Sequence, residues 1–427
     1  MIFGTDGIRA PFNEEPLTEL TITKLSKVLC DWLPEGGTVL LGRDTRESGP
    51  ILIEWLTASW THFSVLDLGV IPTPVVAFET CARDADLGIM ITASHNPAAD
   101  NGLKFFGKSG RKISKQLAEQ WSRSILDQTP AQGKSQQKLV SINPGSYEKF
   151  LKSQFAPISQ PFVFDLAHGA GCPWVENWIQ FFFPHSHVLG NKPDGKNINQ
   201  DVGALYPEAL AQEVRESGAK GGFAFDGDGD RLVVVDGHGQ IVHGDRVLYG
   251  LASVIPDTKH VVGTIVSGLG LEETLHRKGL SMTRTAVGDQ NVLSAMLELG
   301  APVGGEPSGH YISGDLFHAG DGFVSALRIA GAICQDDSFL ENLNTEVPVY
   351  PQLEQAFTIR HKPPLSELVS VGDAVKKLER TLGQTGRVIL RYSGTERKIR
   401  LFIEAQNLER VDAEIKRLVQ AIKMELQ

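Results

Sequence analysis

ITASHNPAADNGLKFF, residues 91–106, is the stretch around which the chain is organised. Just before it, DLGIMI (residues 86–91) is an apolar run of strand length. Pro97 bars simple continuation of a hydrogen-bonded ladder, so residues 92–96 read as a loop at a strand's C-terminal end, where open α/β sheets bind ligands. Ser94 lies in that loop beside His95, whose imidazole titrates near neutral pH, and Asn96, an amide; the point charge of Lys104 follows on the next segment. The motif alone fits a polar turn before a helix equally well. No Gly-x-Ser-x-Gly elbow is present to suggest acyl chemistry.

Outward from this loop the pattern is strand, polar loop, helix, repeatedly. TVLLG (38–42) leads into the polar GRDTRESG (42–49), residues 50–63 carry helical apolar spacing, and SVLDLGVI (64–71) is the next strand. A helix is predicted over 114–128, and TPAQGKSQQK (129–138) is polar and glycine-containing, as a linker is. The second unit opens with FVFDLAHGAG (162–171), passes an amphipathic segment at 207–217, and reaches GGFAFDGDGDRLVVVDGHGQIV (221–242): a strand, an acidic loop, and a hairpin closed around Gly237, His238 and Gly239. A third begins near His260 and includes GGEPSGHYISGD (304–315). The fourth holds FTIRH (357–361), the strand pair RVILRYSGTERKIRLFIEA (387–405), and a final helix with Leu408, Val411, Ile415, Leu418, Ile422 and Leu426 on one face. The expected units are 1–146, 147–256, 257–352 and 353–427, the first three mixed α/β and the smaller last one α+β.

Composition narrows the function. At 427 residues the chain is too long for one core and suggests about three units, with room for four, at roughly 150 residues each. Its formal charge of −10, from 41 basic and 51 acidic residues, argues against general nucleic-acid binding, which needs basic surface to displace counterions. Any anionic ligand must then be met by local positive clusters. Cys30, Cys81, Cys172 and Cys334 lie far apart without a C-x-x-C pair, so neither a zinc ribbon nor a disulfide framework is indicated. The opening residues carry Asp6 and Arg9 without an apolar h-region, and no run of about 18 apolar residues occurs, so a soluble, cytoplasmic chain without a membrane is expected.

Three more loops carry chemistry. In DGDGDR, Asp226, Asp228 and Asp230 alternate with Gly227 and Gly229, which let the backbone curl until three carboxylates converge. Like charges about 4 Å apart repel by about 4 kcal/mol per pair at an effective dielectric of 20, so a cation is expected, and hard oxygen ligands select Mg²⁺ or Ca²⁺. An EF-hand fails because Arg231 stands at its sixth position and Gly237 at its twelfth, which leaves Mg²⁺ the better fit. In GGEPSGH, Glu306, Ser308 and His310 suit the adjacent hydroxyls of a sugar ring, although a plain glycine-rich turn reads as well. In RYSGTERKIR, Arg391, Ser393, Gly394, Thr395 and Arg400 offer hydroxyls, backbone N–H groups and a bidentate fork to a phosphate.

TASHNP, DGDGDR, GEPSGH and RYSGTE, in that order and spacing, resemble the signature loops of the α-D-phosphohexomutases over essentially the whole chain. The opening FGTDGIR, DNGLKFF, KNINQDVGA, AVGDQ and HAGDG are most similar to the branch that interconverts glucosamine 6-phosphate and glucosamine 1-phosphate. The resemblance implies four domains around a central cleft and a phosphoserine at Ser94. It implies one Mg²⁺ held by Ser94, Asp226, Asp228 and Asp230, with Arg9, His95 and Lys104 lining the phosphoserine. It further implies sugar contacts from Glu306, Ser308 and His310 and a phosphate site of Arg391, Ser393, Gly394, Thr395 and Arg400. The implied partners are hexosamine phosphates, with a homodimer left open. Four departures stand out: Gln290 where that branch commonly has arginine, His168 where asparagine is usual, Pro307 in the sugar loop, and Arg397-Lys398 for a usual Pro-Leu. Phosphomannomutase or phosphoglucomutase activity, or a silent sugar-phosphate binder, is the alternative.

Overall fold

The computed structural model describes residues 2–4, 6–131, 137–393 and 397–426. Four sheets follow one another along the chain. The first is built of β1 (Ile8–Pro11), β2 (Thr38–Arg43), β3 (Ser64–Val70), β4 (Leu87–Ile91), β5 (Asp100–Gly107) and β6 (Leu139–Ser141). The second holds β7 (Val163–Asp165), β8 (His187–Leu189), β9 (Gly221–Phe225), β10 (Leu232–Asp236) and β11 (Ile241–Val242). β12 (His260–Thr264), β13 (Ser281–Thr285), β14 (Val303–Gly305) and β15 (Tyr311–Ser313) form the third; β16 (Gln352–Thr358), β17 (Gly386–Tyr392) and β18 (Lys398–Ala405) form the fourth.

The first three sheets share a central arrangement that sequence similarity does not reveal. In each, four consecutive strands are ordered second, first, third, fourth: β3-β2-β4-β5, β8-β7-β9-β10 and β13-β12-β14-β15. The first three strands of each set run parallel and the fourth runs antiparallel to the third. The Ser94 loop, DGDGDR and GEPSGH each join the third strand to the fourth. Every one of these motifs therefore starts at the C-terminal end of a parallel strand, the ligand-binding end of such sheets. The fourth sheet is antiparallel throughout, and its motif turns between β17 and β18.

The apolar cores follow the same division. One cluster runs continuously from Leu40 through Phe164, Phe225 and Phe323 to Val347 and so welds the first three units together. A second fills the first unit around Trp121 and Leu25, and a third, from Phe357 to Leu426, belongs to the fourth unit alone. The fourth unit meets the third through polar contacts: Arg387 donates to the carbonyls of Ile265 (2.7 Å) and Ser267 (2.5 Å), and Glu404 accepts from the Leu269 amide at 3.1 Å.

Local structure departs from the sequence reading at two helices. The helix expected over 50–63 is Gly49–Leu56; it stops because the Thr57 hydroxyl bonds back to Ile53 O and Trp60 turns into the core to donate to Ser26 O. The last helix is Asp412–Leu426, so Leu408 lies before it and Val411 sits in a preceding 3-10 turn, while Ile415, Leu418, Ile422 and Leu426 are buried as expected. The helix expected over 114–128 is Lys115–Asp127, N-capped by Ser114, whose hydroxyl accepts from Leu117 N.

Trp121, 1% exposed, packs edge-on against Trp32 and Phe105 at 5.2 and 5.5 Å. Trp121→Ala is expected to destabilise the chain by about 3–5 kcal/mol. A urea midpoint displaced by less than the equivalent of about 1 kcal/mol would contradict this packing account.

Candidate active site

The serine loop is held from below by a buried arginine. Arg46, 1% exposed, pairs through Nε with Asp44 at 2.9 Å, and its Nη atoms donate to the carbonyls of Ser94 (3.1 Å), Asn96 (2.8 Å), Asp100 (2.8 Å) and Pro97. Asn199 of the second unit also donates to Ser94 O, at 2.8 Å. This clamp holds Ser94 at φ 54°, a left-handed conformation that costs a non-glycine residue about 1–3 kcal/mol and persists only where its surroundings enforce it. Ser94 is 2% exposed, so it is a buried hydroxyl rather than a surface one.

That hydroxyl points at the acidic loop. Ser94 Oγ donates to Asp226 Oδ2 at 2.5 Å and lies 3.3 Å from His95 Nδ1. The close approach needs glycine at 227, where a Cβ would sit 2.6 Å from Ser94 O, and Gly229 turns the loop at φ 71°. Thr73, the first residue of the helix Thr73–Ala82 that follows β3, completes the fit: its hydroxyl donates to Asp228 Oδ2 at 2.5 Å and its amide to Asp228 O at 2.8 Å.

Asp226, Asp228 and Asp230 are buried, and each offers an oxygen within 4.8 Å of the others. Burial, then repulsion from Asp228 and Asp230, pushes the Asp226 carboxyl well above its ordinary range. Asp228 Oδ1 and Asp230 Oδ1 are buried without a hydrogen-bond partner. Three carboxylates with two orphaned oxygens and a hydroxyl at their edge fit a hard divalent cation such as Mg²⁺.

Around the triad runs a ring of charged groups completed by an imidazole. Lys104 Nζ lies 2.7 Å from both Asp228 Oδ2 and Asp230 Oδ2 and 3.5 Å from Asp6. Asp6 contacts Lys112, Lys112 reaches Asp289 at 2.5 Å, and His310 Nε2 returns the chain to Asp230, at 3.8 Å from Asp289 and 3.9 Å from Asp230. Asp6 also pairs with Arg9, which donates to Asn96 Oδ1 at 3.3 Å. Burial alone would discharge these groups; their partners prevent it. Lys104, against the pull of burial, is held well above its ordinary value by Asp228, Asp230 and Asp6, and Asp230, also against burial, is held down to about 2 by Lys104, His310 and Arg231. His95 goes the other way: burial, Arg231 and Arg9 bring it down to about 4, so its imidazole is neutral at pH 7.

Ser94, His95, Lys104, Arg9 and the three aspartates thus meet in one group. His310 joins it, buried beside Asp230 and Asp289, whereas Ser308 is exposed. Gly309, at φ 95°, turns the chain between them. Glu306 is 8% exposed and accepts from Gly288 N at 3.0 Å. Arg391 and Arg400 form a second group, opposite each other across β17 and β18 and lining a cavity of about 200 Å³ with Val266 and Phe402. Ser393 closes their turn, its amide donating to Lys398 O at 2.9 Å; Gly394 and Thr395 lie outside the described residues.

Sequence reasoning missed Arg46, Thr73, Asn199, Asp6, Lys112 and Asp289 as parts of the site. Signals were present: Asp6, Asn199 and Asp289 lie inside the FGTDGIR, KNINQDVGA and AVGDQ stretches quoted above, and Arg46 lies in the Asp-x-Arg of residues 44–46 just past a strand's C-terminal end.

A buried serine beside an acid triad, at the C-terminal edges of adjoining α/β sheets, is an arrangement suited to phosphoryl transfer. The family models of phosphoglucomutase/phosphomannomutase match this chain in three parts, α/β/α domain I at residues 1–131, α/β/α domain III at 243–350 and the C-terminal domain at 354–421. The chain belongs to the phosphoglucomutase/phosphomannomutase family. It is 37% identical to the phosphoglucosamine mutase of Thermodesulfovibrio yellowstonii over 433 residues, covering 96% of each chain. To that of Thermus thermophilus it is 38% identical over 432 residues, covering 100% of this chain and 99% of the relative. Its fold matches the crystal structure of a phosphoglucomutase/phosphomannomutase family protein from Burkholderia thailandensis with a TM-score of 0.81 at 23% identity, covering 100% and 98% of the two chains.

Arg46→Met is expected to leave Asp44 buried without its cation and the loop carbonyls without donors, at about 3–5 kcal/mol of stability. Amide exchange of residues 94–96 should then accelerate well beyond that of β4. Arg46→Lys, with one donor centre for contacts spread over four carbonyls, should rescue little of it. Unchanged exchange in both variants would remove Arg46 from the account of the loop.

Proposed function

We propose that this chain interconverts glucosamine 6-phosphate and glucosamine 1-phosphate, with phosphorylated Ser94 as the phosphoryl donor and a 1,6-bisphosphate as intermediate, in amino-sugar precursor supply. The observation that carries the reading is Ser94 Oγ, 2.5 Å from Asp226 within the acid triad. A hydroxyl there is shielded from water, oriented by a strained loop, and set beside charges able to offset a phosphate. A phosphoserine brings about −1.5 to −2 charge and the sugar phosphate a similar load, so neutralisation precedes any in-line approach.

Asp226, Asp228 and Asp230, with the Ser94 oxygen, would hold Mg²⁺, which when bound supplies the charge neutralisation that phosphoryl transfer requires. Arg9 and Lys104 flank the serine and hold the transferring group in place. Lys104, charged among three carboxylates, serves as a fixed cation, and neutral His95 is the proton acceptor for the sugar hydroxyl. Glu306 and Ser308 take ring hydroxyls. Arg391, Ser393, Gly394, Thr395 and Arg400 grip the phosphate that is not reacting, so one grip serves both half-reactions as the bisphosphate turns over. The units at 1–146, 147–256, 257–352 and 353–427 each bring one loop, and movement of the fourth would shield the intermediate from hydrolysis.

Ser94→Ala should abolish turnover. Intact-mass measurement should find one labile phosphate on the wild type and none on the variant, and comparable activity in both would sink the assignment. Asp228→Asn should weaken Mg²⁺ binding and lower activity by orders of magnitude; full activity in excess EDTA would contradict a catalytic metal. Side-by-side kcat/KM on glucosamine, glucose and mannose phosphates should favour glucosamine, and a higher value for either neutral sugar would move the chain to the other branch while leaving the mechanism intact.

A further inference from the structure

Only one end of the sheet face formed by β17 and β18 serves a phosphate in the reading above. Residues two apart on a strand share a face, and so do partners across an antiparallel ladder. Arg387, Ile389 and Arg391 therefore stand in one row beside Glu404, Phe402 and Arg400, with which the register pairs them. Arg391 and Arg400 end that row at the cavity they line with Val266. Arg387 and Glu404, paired at 2.8 Å, end it at the backbone of the third unit.

That backbone is residues 265–269. Arg387 donates to Ile265 O at 2.7 Å and Ser267 O at 2.5 Å, and Glu404 accepts from the amide of Leu269, the first residue of helix Leu269–Arg277, at 3.1 Å. Behind, the segment is fixed to the larger body. The Gly268 amide donates to Asp245 Oδ2 at 2.7 Å, and Arg284, paired with Glu272 at 2.6 Å, donates to Gly268 O at 3.2 Å. Asp245 lies in helix Gly244–Val254, whose Val247, Leu248 and Leu251 belong to the continuous apolar core. The fit is close at Gly268, where a Cβ would sit 2.9 Å from Asp245 Oδ2 and 3.0 Å from Glu404 Oε1. Val266, between the two carbonyls that Arg387 grips, is a wall of the cavity that Arg391 and Arg400 line. One short segment thus carries both the attachment of the fourth unit and one side of that cavity.

We infer that Arg387 and Glu404 are positioning residues: by seating the fourth unit on residues 265–269 they bring Arg391 and Arg400 to bear on the phosphate, an assignment that rests on the reading of those arginines as the phosphate grip. Neither residue belongs to the apolar core from Phe357 to Leu426, so the pair is not needed to form the unit that it places. At about 3.4 Å per residue Arg391 lies about 14 Å along the strand from Arg387, so a tilt of about 10° at the contact moves it by about 2 Å, enough to break a bidentate bond. Removing the Arg387 guanidinium takes away two carbonyl contacts. It also leaves Glu404 beside Asp245, two buried carboxylates at one helix start, whose repulsion drives the strand pair away from the segment.

The test is steady-state turnover of wild type, Arg387→Met, Arg391→Met and the double variant, on whichever of glucosamine, glucose and mannose 6-phosphate the wild type turns over fastest. Arg387→Met is expected to lower kcat/KM about tenfold, mainly through KM, with the labile phosphate on Ser94 and the Mg²⁺ affinity unchanged. The double variant should fall within about threefold of Arg391→Met alone, since misplacing the grip costs little once its arginine is gone; a loss of stability alone would multiply the two effects. Arg387→Lys keeps a cation beside Glu404 but not the fork across two carbonyls. It should fall between wild type and Arg387→Met, and it serves as the test if the methionine variant does not fold. Activity of the Arg387 variants within about twofold of wild type, or multiplying effects in the double variant, would overturn the inference and leave the phosphate reading in place. Arg391→Met within about twofold of wild type would instead remove the phosphate reading, and the positioning role with it.

Discussion

Buried charge is the constraint on which this structure turns. Asp226, Asp228 and Asp230 are buried, and Asp289 and Asp6, partly exposed, stand at their edge and share cations with them or with each other. The penalty for burying one such ion is several kcal/mol even after relaxation, and a cation at about 4 Å returns about 4 kcal/mol at an effective dielectric of 20. A single pair barely balances. Lys104 and Lys112, each set against two or more carboxylates, do better, and with the His310 imidazole they join Asp6 of the first unit to Asp230 of the second and Asp289 of the third. The active site is therefore assembled only when three units are correctly packed, which the continuous apolar core beneath them secures.

How much of this was legible in the sequence depended on whether the determining contacts were local. DGDGDR could be read because its chemistry lies within six consecutive residues, and the Ser94 loop because a proline and an apolar run bound it. Arg46 could not be read, since what it binds are backbone carbonyls of residues 94–100, which reach it only because β2 and β4 are neighbours. The pairing of Lys112 with Asp289 could not be read, since it forms only when the first and third units are brought together. That His310 is buried beside Asp230 and Asp289 could not be read either, since those neighbours come from another sheet and another loop. The shared strand order of the first three sheets left no mark in the sequence, because a common topology asks only for apolar strands and helices in the same succession.

The hairpins explain how one architecture carries four chemistries. A loop joining an antiparallel pair contributes little to the sheet's hydrogen bonding beyond its two ends, so residues within it are free to serve a ligand. Three such loops stand on parallel strands with helices behind them, rigid supports for the Ser94 hydroxyl, the acid triad and the loop from Glu306 to His310. The fourth stands on a small antiparallel sheet and bears the arginines.

That last unit differs in another respect. Its apolar residues from Phe357 to Leu426 make a core of their own, and its bonds to the third unit are ion-dipole contacts through Arg387 and Glu404 to the backbone around Ser267. Contacts of this kind are exchanged readily for water, whereas an apolar weld is not. In thermodynamic language the chain contains two cooperative systems, one of three units and one of a single unit. The smaller is the one whose position can change with the apolar core of the larger left whole, and it is the smaller that carries the charged fingers.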